Sequence, residues 1–287
     1  MVQSLDKLRP LTETPQSRID PDAFNRFEAD GWDAKAGPYL DFWSPITANV
    51  FDRILDAAEV RQGSRLLDVG CGPGELAAVA AERGAVPTGI DAAPAMVDLA
   101  RENHPDLEFE VANAEELPFE YGSFDAVVAN FVLLHLGRPE TAVCEWARVL
   151  APGRRLAMSI WDATSVNRLH GLILDAVESV EGLEPVEIPE GPPAFRSDDE
   201  LAGLLSTAGL TNICVDHLKF AVAFKDPVEL WTGILRSGVR FPPLVNAQPL
   251  EIQGAIRGAF DRLASVHARN DGSIEVPTAV QIASGRR

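Results

Sequence analysis

The stretch Leu66-Leu67-Asp68-Val69-Gly70-Cys71-Gly72-Pro73-Gly74-Glu75 constrains this chain more than any other. An apolar run enters a turn with glycine at alternate positions, and an acid stands on either side of the turn. Glycines spaced this way open left-handed backbone angles and leave the main chain bare for a ligand. A second apolar run, Val86-Pro87-Thr88-Gly89-Ile90, ends in Asp91, 21 residues beyond Gly70. Strand, glycine turn, helix and a second strand closed by an acid make a nucleoside-binding unit, with the acid placed for ribose hydroxyls.

The spacing argues against a dinucleotide. Its fingerprint is Gly-x-Gly-x-x-Gly, whereas Glu75 occupies the third fingerprint position here. Carboxylates at Asp68 and Glu75 repel a pyrophosphate and attract an ammonium or sulfonium group. The turn resembles motif I of the class I S-adenosylmethionine-dependent methyltransferases of small-molecule type, the ubiquinone/menaquinone-methyltransferase-like superfamily. Further motifs in the same order extend the resemblance over about residues 62 to 162. Asp91-Ala92-Ala93-Pro94-Ala95-Met96 resembles the second motif, and Asn113-Ala114-Glu115 the third. Gly122–Phe131, Val132-Leu133-Leu134-His135-Leu136 and Arg148–Leu156 match the strand, fourth motif and helix–turn–strand boundary that follow.

That resemblance implies S-adenosyl-L-methionine as cofactor, S-adenosyl-L-homocysteine as its product, and no metal. It implies cofactor contacts from Asp68, Gly70, Gly72, Gly74, Asp91, Ala92, Met96, Asn113, Ala114, Glu115, Asn130 and Phe131. Asp91 is expected on the ribose and Met96 over the adenine face. Asn113 departs from the family's acid, but an amide oxygen still accepts from the adenine amino group. The Ala114 backbone is expected at an adenine ring nitrogen. Tyr39 is expected at the methionine carboxylate, because relatives fold an N-terminal helix carrying such aromatics over the cofactor. The fold implied is α/β: a Rossmann-like, seven-stranded, mostly parallel sheet with an antiparallel last strand and helical cap insertions.

Charge and composition narrow the partners. A formal net charge of −18 at pH 7 repels nucleic acid, whose binders cluster Lys and Arg. A small-molecule acceptor is the better expectation, and the oligomeric state stays open. No apolar run approaches the ~18 residues of a membrane span, and the N-terminal stretch lacks a secretory pattern. The three cysteines, Cys71, Cys144 and Cys214, are scattered and odd in number, as in a reducing cytoplasm.

Helix and strand signals divide the chain. Residues 1–20 read as a tail, 21–60 as a helical cover, 61–162 as the cofactor-binding core and 163–196 as a cap insertion. A core helix and strand follow over 197–225, a helical lid over 226–270 and a final strand over 271–287. Strand and helix are expected to alternate five times through the core. Ser197-Asp198-Asp199-Glu200 is a capping box. The apolar stripe Ile252, Ile256, Phe260, Leu263 reads as packing.

The chemistry expected is in-line methyl transfer to a small hydrophobic metabolite, through proximity and desolvation. A base is needed only if the acceptor arrives protonated, and His135, after the fourth strand, is the candidate. His170 and Asp162 in the cap come next. His104 and His217 are expected on exposed turns or strand faces, and His267 on the C-terminal helix. Trp32 and Trp43 are expected in the cover, Trp161 at the acceptor pocket and Trp231 in the lid core. Two rivals remain: a non-methyl reaction such as cyclisation on the same cofactor, and a module that only senses the nucleoside.

Overall fold

Residues 20–193, 195 and 197–287 are described in the computed structural model. The tail expected over residues 1–20 falls, apart from Asp20, outside the described residues. Four helical segments open the chain: α1 (Pro21–Asp33), α2 (Ala36–Phe42), α3 (Ser44–Thr47) and α4 (Phe51–Ala57). Asp20 starts the first by accepting from the amides of Asp22 and Ala23, with Pro21 at the first helical position.

The apolar runs then form β1 (Arg65–Val69), β2 (Val86–Asp91), β3 (Glu108–Val111), β4 (Phe124–Asn130) and β5 (Leu150–Trp161). Between them lie α5 (Glu75–Glu82), α6 (Pro94–Asn103) and α7 (Pro139–Val149). The remainder is α8 (Arg168–Glu178), α9 (Asp198–Thr207), β6 (Thr211–Phe224), α10 (Pro227–Ser237), α11 (Phe241–Asn246), α12 (Leu250–Ala264) and β7 (Ile274–Arg286).

The seven strands form one sheet in the order β3-β2-β1-β4-β5-β7-β6. β7 alone runs antiparallel to its neighbours, β5 and β6. It therefore slots inside the sheet, and β6 takes the edge. β1 shows why the sheet is covered on both faces. Leu66 packs with Phe51, Ile54 and Leu55 of α4 and Leu76 of α5. Leu67, pointing the opposite way, packs with Val143 and Trp146 of α7 and Leu201 of α9. Period-two alternation sends successive side chains into two different cores. A third core lies where α8 and α12 pack together, with Ile256 and Phe260 buried.

One expectation fails. No helix separates β3 from β4; residues 112–123 form turns closed by a short bridge between Asn113 and Glu116. Pro118 and Gly122 break the helical pattern, and α7 supplies the hydrogen bonds that a helix would have made. Arg148 donates to the carbonyls of Leu117 and Phe119, Glu145 accepts from the Leu117 amide, and the Trp146 indole donates to Ala114 O at 3.0 Å.

Strand order reverses at β1, with β2 on one side and β4 on the other. Loops leaving these strands diverge, opening a crevice at their C-terminal ends. The glycine turn and the residues after β4 both lie there.

Candidate functional site

The glycine turn is pinned from β2. The Cys71 amide donates to Ile90 O, and the Gly72 amide donates to Asp91 Oδ2 at 3.0 Å. Asp91 Oδ1 accepts from the Ala93 amide at 2.9 Å, so one carboxylate ties turn, strand and the start of α6 together. Gly70 has φ +66°, and a Cβ there would collide with Val132. Gly72 has φ +52°, and the space a Cβ would fill is open except for Tyr39 Cε1 at 3.8 Å. Gly74, also at positive φ, caps α5.

Behind the turn stand three acids. Asp68 is 1% exposed, and its Oδ2 has no hydrogen-bond partner among the described residues. Burial, then the charges of Asp91 and Glu75, push its pKa up to about 8. Burial also raises Asp91, against the backbone amides that hold its charged form. Asp68 and Glu75 line a cleft with Tyr39, Thr47, Phe51, Pro73 and Asn130. The space within the cleft, its open mouth included, is ≈ 280 Å³. An orphaned buried carboxyl, a bare glycine face and a net anionic lining fit a small cationic ligand.

The N-terminal helices roof this cleft. Trp32 meets both Tyr39 and His135 edge to face, with ring centroids 5.5 and 5.1 Å apart. Burial pushes the Tyr39 phenol up, and the nearby acids add to that, so it stays neutral. His135 Nδ1 lies 2.8 Å from Oε2 of Glu28, a buried acid of α1. Arg240 Nε, at the start of α11, stands 3.0 Å from Glu28 Oε1. Burial pushes the Glu28 pKa up, but His135, Arg240 and Trp32 outweigh it and hold the group below the usual carboxylate value. The sequence reading missed Glu28 and Arg240.

A run of aromatic rings continues from the end of β4. Phe131 has φ +61°, an uncommon angle for a bulky residue. Its amide donates to Ser159, its ring stacks on Trp161 at 3.9 Å, and Ser159 Oγ donates to Asn130 Oδ1 at 2.6 Å. His170 lies among Trp43, Trp161 and Phe241. Burial first, then Arg240 and His135, depress its pKa to about 3, so this imidazole is neutral.

Met96 is buried with Ala36 and Ala93 against Trp32 and Tyr39, next to Ala92 at the end of β2. Asn113 is exposed, and its amide oxygen accepts from the Glu115 amide at 2.9 Å. Glu115 clamps the start of α7: its oxygens accept from the Arg138 amide at 2.7 Å and the Arg138 guanidinium at 3.1 Å. Arg138 is the nearest cation donor because α7 begins directly beside that loop.

Asp162 pairs with His217 at 2.8 Å. His104 is corrected too: it is half-buried against Phe109, and its Nε2 has no partner among the described residues. His267 lies in the short turn after α12, and Trp231 packs on Phe260 within the lid. Burial raises the Cys71 thiol well above its ordinary value, leaving it unreactive. Among the described residues no helix is long and apolar enough to cross a membrane.

Comparison with known proteins agrees with this geometry. The family model described as a methyltransferase domain matches residues 67–158. A ubiquinone biosynthesis O-methyltransferase of Xanthomonas oryzae pv. oryzae is 37% identical over 189 residues, covering 62% of this chain and 74% of that protein. A demethylmenaquinone methyltransferase of Paenarthrobacter aurescens is 30% identical over 175 residues, covering 58% and 69%. An uncharacterised 37.1 kDa protein of a Streptomyces fradiae transposon is 41% identical over 123 residues, but this chain spans only 35% of its length.

Among solved structures, the YcgJ protein of Bacillus subtilis superposes with a TM-score of 0.55 at 20% identity, over 84% of this chain and 98% of that one. A Haemonchus contortus phosphoethanolamine N-methyltransferase, solved with S-adenosylhomocysteine, gives 0.51 at 17% over 83% and 52%. At these identities the structures speak for the fold. Fold, glycine turn and sequence relatives together show that the chain belongs to the class I S-adenosylmethionine-dependent methyltransferases.

Proposed function

We propose that this protein transfers a methyl group from S-adenosylmethionine to a small, largely apolar acceptor. The observation that carries the reading is Asp68, a buried carboxyl with no cation paired to it among the described residues, lining one cleft with Glu75 beside the glycine turn. A sulfonium or ammonium group supplies the missing positive charge; a phosphate worsens the repulsion.

When bound, the cofactor supplies an electrophilic methyl group on a cationic sulfur. The protein's own residues do the rest. Asp91 takes the ribose hydroxyls with the lone pairs that the Gly72 and Ala93 amides leave free. The bare face of Gly72 lets the ligand meet the main chain, and Ala92 and Met96 flank the nucleoside. The loop at Asn113 and Ala114 closes over the base. Tyr39, held neutral, offers a hydroxyl donor from the roof.

The roof and lid exclude water, which strengthens each electrostatic contact inside. Trp161, Phe131 and Phe241 give the acceptor side an aromatic lining, as in pockets for apolar metabolites. Relatives named for ubiquinone and menaquinone biosynthesis favour a ring-shaped acceptor. The net charge of −18 disfavours polyanionic acceptors.

Calorimetric titration with S-adenosylhomocysteine tests the reading. The native chain binds it, and Asp91→Ala largely abolishes binding. A folded native chain that binds none sinks the proposal.

A further inference from the structure

Glu28 is 2% exposed and joins three separate parts of the fold. It projects from α1 in the roof. Its Oε2 meets His135 Nδ1 at 2.8 Å, in the turn after β4. Its Oε1 meets Arg240 at 3.0 Å, from the lid. Arg240 also reaches the carbonyl of Leu134, beside His135.

The hydrogen-bond chemistry of this cluster places a proton on one particular nitrogen. An ionised carboxylate only accepts, so the short contact requires the proton on His135 Nδ1. The Trp32 indole N–H, 3.4 Å from that nitrogen, cannot donate to an N–H and serves the carboxylate instead. In a neutral ring that tautomer leaves the lone pair on Nε2. The His135 ring meets Trp32, which in turn meets Tyr39 in the lining of the cleft.

We propose that Glu28 is a positioning residue that holds His135 in the Nδ1–H form, so that Nε2 acts as base toward an acceptor hydroxyl of phenolic type. Arg240 fixes the carboxylate from the opposite side. The inference rests on the methyltransferase reading above and narrows its acceptor to a group that arrives protonated. The acceptor O–H bond breaks, its proton passes to Nε2, and its electron pair stays on oxygen. That pair forms the bond to the methyl carbon as the carbon–sulfur bond breaks and its electrons return to sulfur. Glu28 stabilises the imidazolium that results, as a carboxylate does for the histidine of a hydrolase triad.

Glu28→Gln gives a sharp expectation. Arg240 claims the amide oxygen, which turns the NH2 toward His135 Nδ1. The ring must then accept there, and its proton moves to Nε2, where it blocks the base. Nitrogen NMR of histidine-labelled, cofactor-free protein reads the tautomer directly, with His135→Asn assigning the signal. The native chain shows Nδ1–H, Glu28→Gln shows Nε2–H, and Glu28→Asp returns to Nδ1–H. An Nε2–H signal in the native protein overturns the inference even if Glu28→Gln fails to fold, and so does an unchanged signal in a folded Glu28→Gln.

Catalysis supplies the second readout, with a panel of phenols, catechols and hydroxyquinones as acceptors. Glu28→Gln lowers kcat on the order of 10²-fold or more, while KM and S-adenosylhomocysteine affinity stay within about threefold. Glu28→Asp recovers part of the loss, and the loss shrinks as the acceptor hydroxyl becomes more acidic. Binding of S-adenosylhomocysteine without transfer to any hydroxyl in the panel overturns the acceptor class. Absence of that binding in the native chain fails the methyltransferase reading instead, and leaves the tautomer result standing.

Discussion

Asp68 makes cofactor binding a proton-release reaction. With its pKa near 8 in the cofactor-free protein, about 90% of the side chain is protonated at pH 7, one unit below. A cationic ligand about 4 Å away, at an effective dielectric constant of about 20, favours the carboxylate by roughly 4 kcal/mol. That is worth about three pKa units, enough to ionise Asp68 fully at pH 7 in the complex. Binding at pH 7 therefore releases close to 0.9 proton per site. It falls to about half a proton at pH 8 and little at pH 9. The ligand's α-amino group, with an ordinary pKa of about 7.7–8.0, takes back about 0.1–0.2 proton at pH 7.

Calorimetry in phosphate and in Tris, which differ in ionisation enthalpy, counts these protons. The expected signature is a binding heat that depends strongly on the buffer at pH 7. Affinity rises about tenfold between pH 6 and pH 7. Asp68→Asn, uncharged at every pH, binds weakly and shows no release. The folded pKa lies above the unfolded value of 3.8, so the Asp68 contribution to stability is fully present below about 4 and lost as pH rises through about 8. Asp68→Asn removes that part of the slope. Identical heats in the two buffers at pH 7, with binding intact, refute the protonated carboxyl and with it the electrostatic account of the cleft.

Asp91→Ala removes two charge-assisted contacts to the nucleoside, each worth about 1.5–3 kcal/mol. Affinity for S-adenosylhomocysteine should fall by at least about 100-fold in calorimetry, with the melting temperature lowered because the Gly72 and Ala93 amides lose their acceptor. Gly70→Ala places a methyl against Val132 at a left-handed angle, costing about 1–2 kcal/mol in backbone strain alone, and thermal unfolding should show at least that loss. His217 is held above its ordinary pKa by Asp162, against partial desolvation, and by Asp198. Its pairing stabilises the fold below about pH 6.5 and is lost as pH rises through the raised value. Half-exposure limits the effect to less than about 1 kcal/mol. Urea unfolding of His217→Gln should show a deficit at pH 6 that disappears at pH 9.

The features legible in the sequence are those encoded within a few residues of themselves. The glycine turn needs angles that only glycine adopts freely, and Asp91 follows at the distance one helix and one strand impose. Ser197 and Glu200 form the reciprocal capping pair that their spacing announces. The missing helix before β4 had local warnings in Pro118 and Gly122, which the regular alternation around them obscured. Glu28 and Arg240 are different, since their roles depend on contacts far along the chain: Glu28 meets His135 across 107 residues. One local signal did exist. Phe24, Glu28 and Trp32 follow one another at i, i+4 and i+8, so an acid interrupts the apolar face of α1. A charge on a stripe that packs inward must find a buried partner, and the residues able to supply one are few.

Glu28 and Asp68 together show how the ligand's charge can be read from the protein. Both carboxyls are almost completely buried, at 2% and 1% exposure. Burial alone raises both pKa values, yet the two groups end on opposite sides of the ordinary carboxylate value. The difference is the company each keeps. Glu28 has Arg240 and His135 beside it, so its charge is balanced inside the fold and its function is to hold a neighbour still. Asp68 has the Ala77 amide and the acids Asp91 and Glu75 beside it, and no cation pairs with it among the described residues. A buried carboxyl left in that state destabilises the fold near neutral pH unless a cation arrives. The strain is concentrated at the lip of a glycine turn, within reach of an open cleft. A sulfonium ligand relieves it, and the same substitution, carboxylate to amide, should therefore stabilise the cofactor-free protein at Asp68 and destabilise it at Glu28.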